Sequence, residues 1–232
     1  RDFCLSRGLG DVYKRQLSGK GACALFGLPA SGRAQVYAAL CRQLDKPLCI
    51  VTPGEAEATR FAADLNTLGI PAAVFPARDY VLRPIEGTAR EYEYRRLAVL
   101  GELVGGRLRA VAVPAEALTQ FTTPKEDFCA NTRTLHAGDT LLRDDLLAAL
   151  FGAGYTRRAQ VDGPGQFSVR GDIVDIFAPD QKMPVRMEFW GDEIDTLHTF
   201  DLTTQRREDA IDKFYLSPAR EVLFGKPADA AE

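Results

Sequence analysis

Histidine is nearly absent from this chain, with His136 and His198 its only two. The five cysteines (Cys4, Cys23, Cys41, Cys49 and Cys129) are odd in number, scattered and never spaced C-x-x-C. These shortages argue against a zinc site and against a disulfide framework, and they fit reduced, packed thiols in a cytosolic protein. No apolar run approaches the roughly 20 residues that span a bilayer, so no membrane contact is expected. A basic excess is missing too: the formal net charge is -3 and the pI about 5.6. Global attraction to nucleic acid is therefore not expected, and any contact with DNA or protein must come from a local patch. What the chain does have is 232 residues with 46% hydrophobic content, enough to bury a sizeable core in one large or two smaller domains.

Gly27-Leu28-Pro29-Ala30-Ser31-Gly32-Arg33-Ala34 has the glycine spacing of a phosphate-binding P-loop. Arg33 and Ala34 stand where that loop requires Lys and Ser/Thr. Lys reaches the β- and γ-phosphates and the hydroxyl ligates magnesium, so Ala34 deletes a metal ligand and Arg33 replaces a compact ammonium with a broad fork. Gly27, Gly32, Arg33 and Ala34 are thus read as a degenerate nucleotide site. No catalytic residue and no metal ligand is expected.

At the N-terminus, Asp11-Val12-Tyr13-Lys14-Arg15-Gln16 is what GAT GTG TAT AAG AGA CAG encodes, which resembles the end of a transposon used to build sequencing libraries. Residues 1–16 are therefore expected to be translated adapter, with a natural basic arm as the alternative, and the protein is expected to extend beyond the piece in hand.

Between residues 17 and 127 short apolar runs alternate with helix-period segments. Strands are expected at Ala22–Phe26, Pro47–Val51, Ala72–Phe75 and Arg109–Val113. Thr52 to Glu55 has capping-box spacing with Pro53 at the first helical position, and Phe61, Leu65 and Leu68 share one face before Gly69 and Pro71 stop the helix. A second box, Thr88 to Glu91, opens a helix carrying Leu97, Leu100 and Val104. This alternation predicts a largely parallel α/β sheet with the degenerate P-loop after its first strand. Tyr92, Tyr94, Arg95 and Arg96 read as part of an amphipathic helix rather than as nucleic-acid contacts.

The grammar changes over residues 128–207. Leu142–Phe151 predicts a short helix closed by Gly152 and Gly154, followed by strand-rich Phe167–Phe177 and Val185–Phe200. Phe167, Val169 and Ile173 keep one parity while Val174 and Ile176 take the other, which predicts a bulge near Gly171. Asp192-Glu193-Ile194-Asp195 imitates a helicase DExD box, yet Arg186, Glu188 and Gly191 interrupt the run before it and a hairpin turn at Gly191-Asp192 fits better. A small α+β domain with antiparallel strands is expected here, with residues 208–232 returning to the first domain. Its candidate interaction surface is Arg157, Arg158 and Arg170 interleaved with Tyr155 and Phe167, opposed locally only by Asp162. Arginine with aromatics is the composition of an interaction hot spot; a solvated strand edge kept from aggregating by its charges is the alternative.

The stretches Gly163 to Phe177, Pro184 to Asp195, Phe200-Asp201 and Thr204-Gln205-Arg206 resemble the module shared by the excision-repair protein UvrB and the transcription-repair coupling factors of the Mfd family. The resemblance runs from about Gly21 to Phe224. It implies a P-loop-like domain interrupted by a small inserted domain that docks onto UvrA, the damage sensor. Arg33 and Ala34, the lack of room between Val81 and Arg96 for the Tyr-rich DNA-clamping hairpin of UvrB, and the Thr204-Gln205-Arg206 ending lean toward a coupling factor. On that resemblance Arg157, Arg158, Phe167 and Arg170 are the expected partner-binding residues, with Thr156 where some relatives carry an Arg. ATP and magnesium, translocation on double-stranded DNA, displacement of stalled RNA polymerase and an intramolecular contact with the motor are expected only of a longer protein in a bacterial cytoplasm. The alternative is a fragment of a divergent UvrB-like helicase that binds nucleotide and damaged DNA.

Overall fold

The computed structural model describes residues 26–78 and 88–221. The expected adapter (residues 1–16) and most of the first expected strand (residues 22–25) lie outside the described residues. Strands β1 (Leu48–Thr52), β2 (Ala72–Val74) and β3 (Ala110–Pro114) form a parallel sheet in the order β1-β3-β2. Side chains alternate across a strand, so β3 turns Ala110 and Ala112 to one face and Val111 and Val113 to the other. Helices α1 (Ala30–Gln43) and α2 (Glu55–Thr67) cover the alanine face, where Phe61 and Leu65 pack with Ala38, Cys41 and Ile50. Helix α3 (Thr88–Val104) covers the valine face, where Val99 packs with Phe75 and Leu108. The C-terminal carbonyls of α1 are satisfied by Arg109, which donates to Cys41 O at 2.6 Å and also to Leu44 O.

The first expected cap is corrected. Thr52 stays in the ladder opposite Pro114, so α2 starts at Glu55 with Gly54 at its cap and no side-chain cap bond. Thr52 Oγ1 instead donates to Gly54 O at 2.9 Å, and Glu55 and Glu57 in the first turn complement the helix dipole. At the other end Gly69, at φ 74°, stops the helix as its position predicts. Helix α3 starts at Thr88, and the residues that would flank its expected cap lie outside the described ones.

Short helices α4 (Ala115–Leu118) and α5 (Lys125–Ala130) lead into β4 (Arg133–His136), which pairs antiparallel with β11 (Lys213–Leu216). Between them lie α6 (Arg143–Gly152) and six strands: β5 (Thr156–Arg157), β6 (Gln166–Arg170), β7 (Ile173–Phe177), β8 (Val185–Trp190), β9 (Glu193–Phe200) and β10 (Arg207–Ala210). They form one sheet in the order β10-β9-β8-β7-β6-β5, antiparallel except where β5 joins β6. Gly152 is the last residue of α6, and Gly154, at φ 84°, makes the exit.

The bulge expected near Gly171 is a tight hairpin turn: Arg170 pairs with Ile173, and Gly171 takes φ 59°. Across that turn odd-numbered residues of β6 face even-numbered residues of β7, which produces the parity switch without an extra residue. A register shift does occur one hairpin later, between Glu188 and Phe189. Gly191, at φ 62°, forms the turn expected at Gly191-Asp192.

One face of this sheet packs Phe167, Val174, Ile176, Val185 and Met187 against Leu146 and Leu150 of α6. The segment after β11 runs back against α3, the helix on which Arg96 was expected and lies. Arg96 is fully buried, over the Phe75 ring at 4.0 Å, and pairs with Glu221 at 2.8 Å. Arg78 reaches the other Glu221 oxygen at 2.7 Å, while Pro76 O, Phe121 O and Thr122 Oγ1 accept from Arg96 at 2.8–3.1 Å. The Tyr94 hydroxyl stands against Gly165, where a Cβ would lie 2.5 Å from it.

Candidate partner-docking surface

The face of the six-stranded sheet turned away from α6 carries a cluster of polar side chains, and register explains its composition. Ser168, Asp175, Arg186 and His198 form one row across β6, β7, β8 and β9. Arg170, Ile173, Glu188 and Thr196 form the next row, toward the hairpin ends. Asp175 is 1% exposed and sits between two guanidinium groups: Arg186 bonds both its oxygens (Nε to Oδ1 2.7 Å, Nη2 to Oδ2 3.0 Å) and Arg170 Nη2 reaches Oδ2 at 2.7 Å. Bidentate pairing of this kind is both strong and directional. Arg186 also lies over the Phe200 ring at 4.6 Å, held between the ring and its acid. One carboxylate between two arginines leaves the cluster net positive. Arg170, with a side chain 48% exposed, presents that charge to solvent.

Alternation along β8 puts Arg186, Glu188 and Trp190 on this face and Val185, Met187 and Phe189 in the core. Glu188 pairs with Arg207 of β10. Trp190, the only tryptophan in the chain, is 82% exposed at the end of the strand. An indole that large left in water beside paired charges is the composition of a binding anchor rimmed by polar groups.

Of the residues expected here from sequence, Arg170 lies on this face and the others do not join it. Phe167 is corrected: it is 0% exposed, on the opposite side of the sheet, in edge contact with Phe151 at 5.2 Å between ring centroids. Tyr155 is likewise buried, donating its hydroxyl to Ser217 O at 2.7 Å, and burial drives its pKa well up. Arg157 and Arg158 are exposed at the edge strand β5, where Arg157 is in register with Phe167 and so turns toward the α6 side. Asp162 is not the local acid; its backbone N–H donates to Gln166 Oε1, and the acid that meets Arg170 is Asp175. Asp175, Arg186, Glu188 and Trp190 were missed because charges inside a strand read as interruptions. The signal was there in the polar alternation of Arg186, Glu188 and Trp190.

Along Gly27–Ala34, Gly27 takes φ 75° and α1 begins at Ala30, so Gly32, Arg33 and Ala34 are already helical. The Arg33 N–H donates to Pro29 O at 3.0 Å. Its side chain pairs with Glu57 at 3.2 Å and leans over the Phe61 ring at 5.4 Å, while Ala34 is 2% exposed. Among the described residues no His/Cys/Asp/Glu cluster suits a metal ion, and no helix is long and apolar enough to cross a membrane.

The sheet with this charged face lies within a family match: residues 134–222 match the model of the UvrB interaction domain. Over nearly its whole length the chain is similar to transcription-repair-coupling factors. It is 28% identical over 226 residues to that of Bacillus subtilis (strain 168), covering 97% of this chain and 18% of the relative. The Myxococcus xanthus protein is 35% identical over 209 residues, 85% of this chain and 17% of the relative. That of Mycobacterium bovis (strain ATCC BAA-935 / AF2122/97) is 38% identical over 212 residues, 87% of this chain and 17% of the relative. The chain thus spans less than a fifth of the length of these relatives.

Proposed function

We propose that this chain is a UvrA-recruiting protein-interaction module in transcription-coupled nucleotide excision repair, and that it does not itself hydrolyse ATP. The observation that carries the reading is the coincidence of a UvrB interaction domain match with a sheet face that exposes Arg170 and Trp190 over the buried Asp175–Arg186 pair. The buried Asp175–Arg186 pair supports Arg170 from below, while Trp190 at the end of β8 offers a large exposed apolar contact on the same sheet face. Arg and Trp are the side chains most often found to dominate binding when buried at an interface.

Arg33 and Ala34 stand as a relic of a nucleotide site kept as scaffold: the arginine is spent on Glu57 and the alanine is packed. Contacts with RNA polymerase, with double-stranded DNA, and between this face and a motor belong to the longer protein. The experiment is a calorimetric titration of purified UvrA into the chain, beside a titration with ATP and magnesium. Saturable UvrA binding with no ATP signal is expected. Micromolar ATP affinity would favour the UvrB-like helicase alternative, and absence of UvrA binding would contradict the proposal.

A further inference from the structure

Thr204-Gln205-Arg206 has no role in the docking face as described so far, yet Gln205 is the one non-glycine residue at positive φ (59°) among the described residues. Left-handed backbone is disfavoured for any residue with a Cβ, and where it persists the surroundings over-determine it. They do so here. Asp201 Oδ1 accepts the Thr203 N–H at 3.1 Å, the Thr204 N–H at 2.7 Å and the Thr204 hydroxyl at 2.9 Å. Gln205 N–H donates to Asp201 O at 2.8 Å, and Asp201 N–H to Arg206 O at 3.0 Å.

The turn aims Gln205 at Arg186 twice. Gln205 O accepts from Arg186 Nη1 at 3.2 Å and Gln205 Oε1 from Nη2 at 3.4 Å. The side-chain amide cannot flip freely, because its Nε2 donates to Leu202 O at 2.8 Å. Arg186 is thereby held on one side by Gln205 and on the other by both oxygens of Asp175. Asp175 Oδ2 is the atom that also holds Arg170. The contacts form an unbroken series from Gln205 through Arg186 and Asp175 to Arg170.

We propose that Gln205 is a positioning residue of the docking face: its left-handed turn fixes Arg186 and, through Asp175, the direction in which Arg170 is presented. The affinity part of this claim rests on UvrA being the partner; the part internal to the chain does not. The test uses the full chain with Gln205→Gly, which accepts the backbone angle without the amide, and Gln205→Asn, which tolerates the angle but is too short to reach Arg186. Both are expected to melt no lower than the parent, whereas a residue that only stabilises the loop would lower the melting temperature when truncated. In both, the Arg186 Nε–H resonance is expected to broaden or shift, and UvrA affinity to fall by about fivefold. An unchanged Arg186 resonance overturns the proposal, as does unchanged UvrA affinity in variants of a parent that binds. A parent that binds no UvrA overturns the partner reading instead, and the Arg186 resonance then decides the positioning claim alone.

Discussion

Arg170 and Asp175 meet at 2.7 Å across the β6–β7 hairpin, the acid 1% exposed and the arginine side chain 48% exposed. The pair crosses the boundary between core and surface. Asp175 fixes one end of the guanidinium, and the remaining donors of Arg170 face outward, where a partner carboxylate could take them bidentately.

Phe167 and Arg170 should therefore fail differently. Phe167→Ala opens a cavity beside Phe151 and is expected to cost about 3–5 kcal/mol of stability, measurable by urea denaturation. Arg170→Ala is expected to change stability by less than about 1 kcal/mol, in keeping with its half-exposed side chain.

A second prediction concerns the Arg78–Glu221–Arg96 cluster. Glu221→Ala leaves Arg96 buried with no counter-charge, and breaking a buried pair in this way typically costs about 3–5 kcal/mol. The chemical-denaturation midpoint should drop accordingly. An unchanged midpoint would mean that the segment after β11 is not held against α3 in solution.

The start of α1 gives a third. Arg33→Lys with Ala34→Ser restores the letters of a P-loop, but Ala34 is packed at 2% exposure and α1 already begins at Ala30. The new hydroxyl would have to find a partner inside the helix packing or cost about 1–3 kcal/mol. The double variant is expected to melt below the parent and to show no ATP binding by calorimetry.

Acid should loosen the Gln205 turn. Hydrogen bonds from the Thr204 N–H, and then from its hydroxyl, hold the Asp201 carboxyl below its ordinary value. A depressed carboxylate stabilises the fold above its unfolded value of about 3.9, and that contribution disappears as pH falls through the folded pKa. NMR titration should place the Asp201 midpoint below about 3.9, with protection of the Thr203 and Thr204 amides fading over the same range.

The parallel sheet was legible because β1, β2 and β3 are short apolar runs between helix-period segments, and the hairpins because Gly171 and Gly191 mark them. Register was not legible: the parity switch after Val169 fits a bulge or a turn equally well until pairing partners are known. The candidate docking face was half legible for the same reason. Arg170 could be picked by composition, but which face Phe167 occupies depends on pairing with Ile176, and the acid that meets Arg170 was hidden inside Ile173–Phe177 as a break in an apolar run. The helix carrying Arg96 was legible, but its ion pair was not, because the partner Glu221 lies 125 residues away.

The most direct measurement is the affinity of purified UvrA for the parent chain and for the Arg170→Ala, Trp190→Ala double variant, with melting curves recorded on both. Saturable binding by the parent is expected, weakened by at least about thirtyfold in the double variant, the loss typical of interface hot spots, with melting temperatures within a few degrees of each other. Equal affinity for parent and variant, both folded, would contradict it.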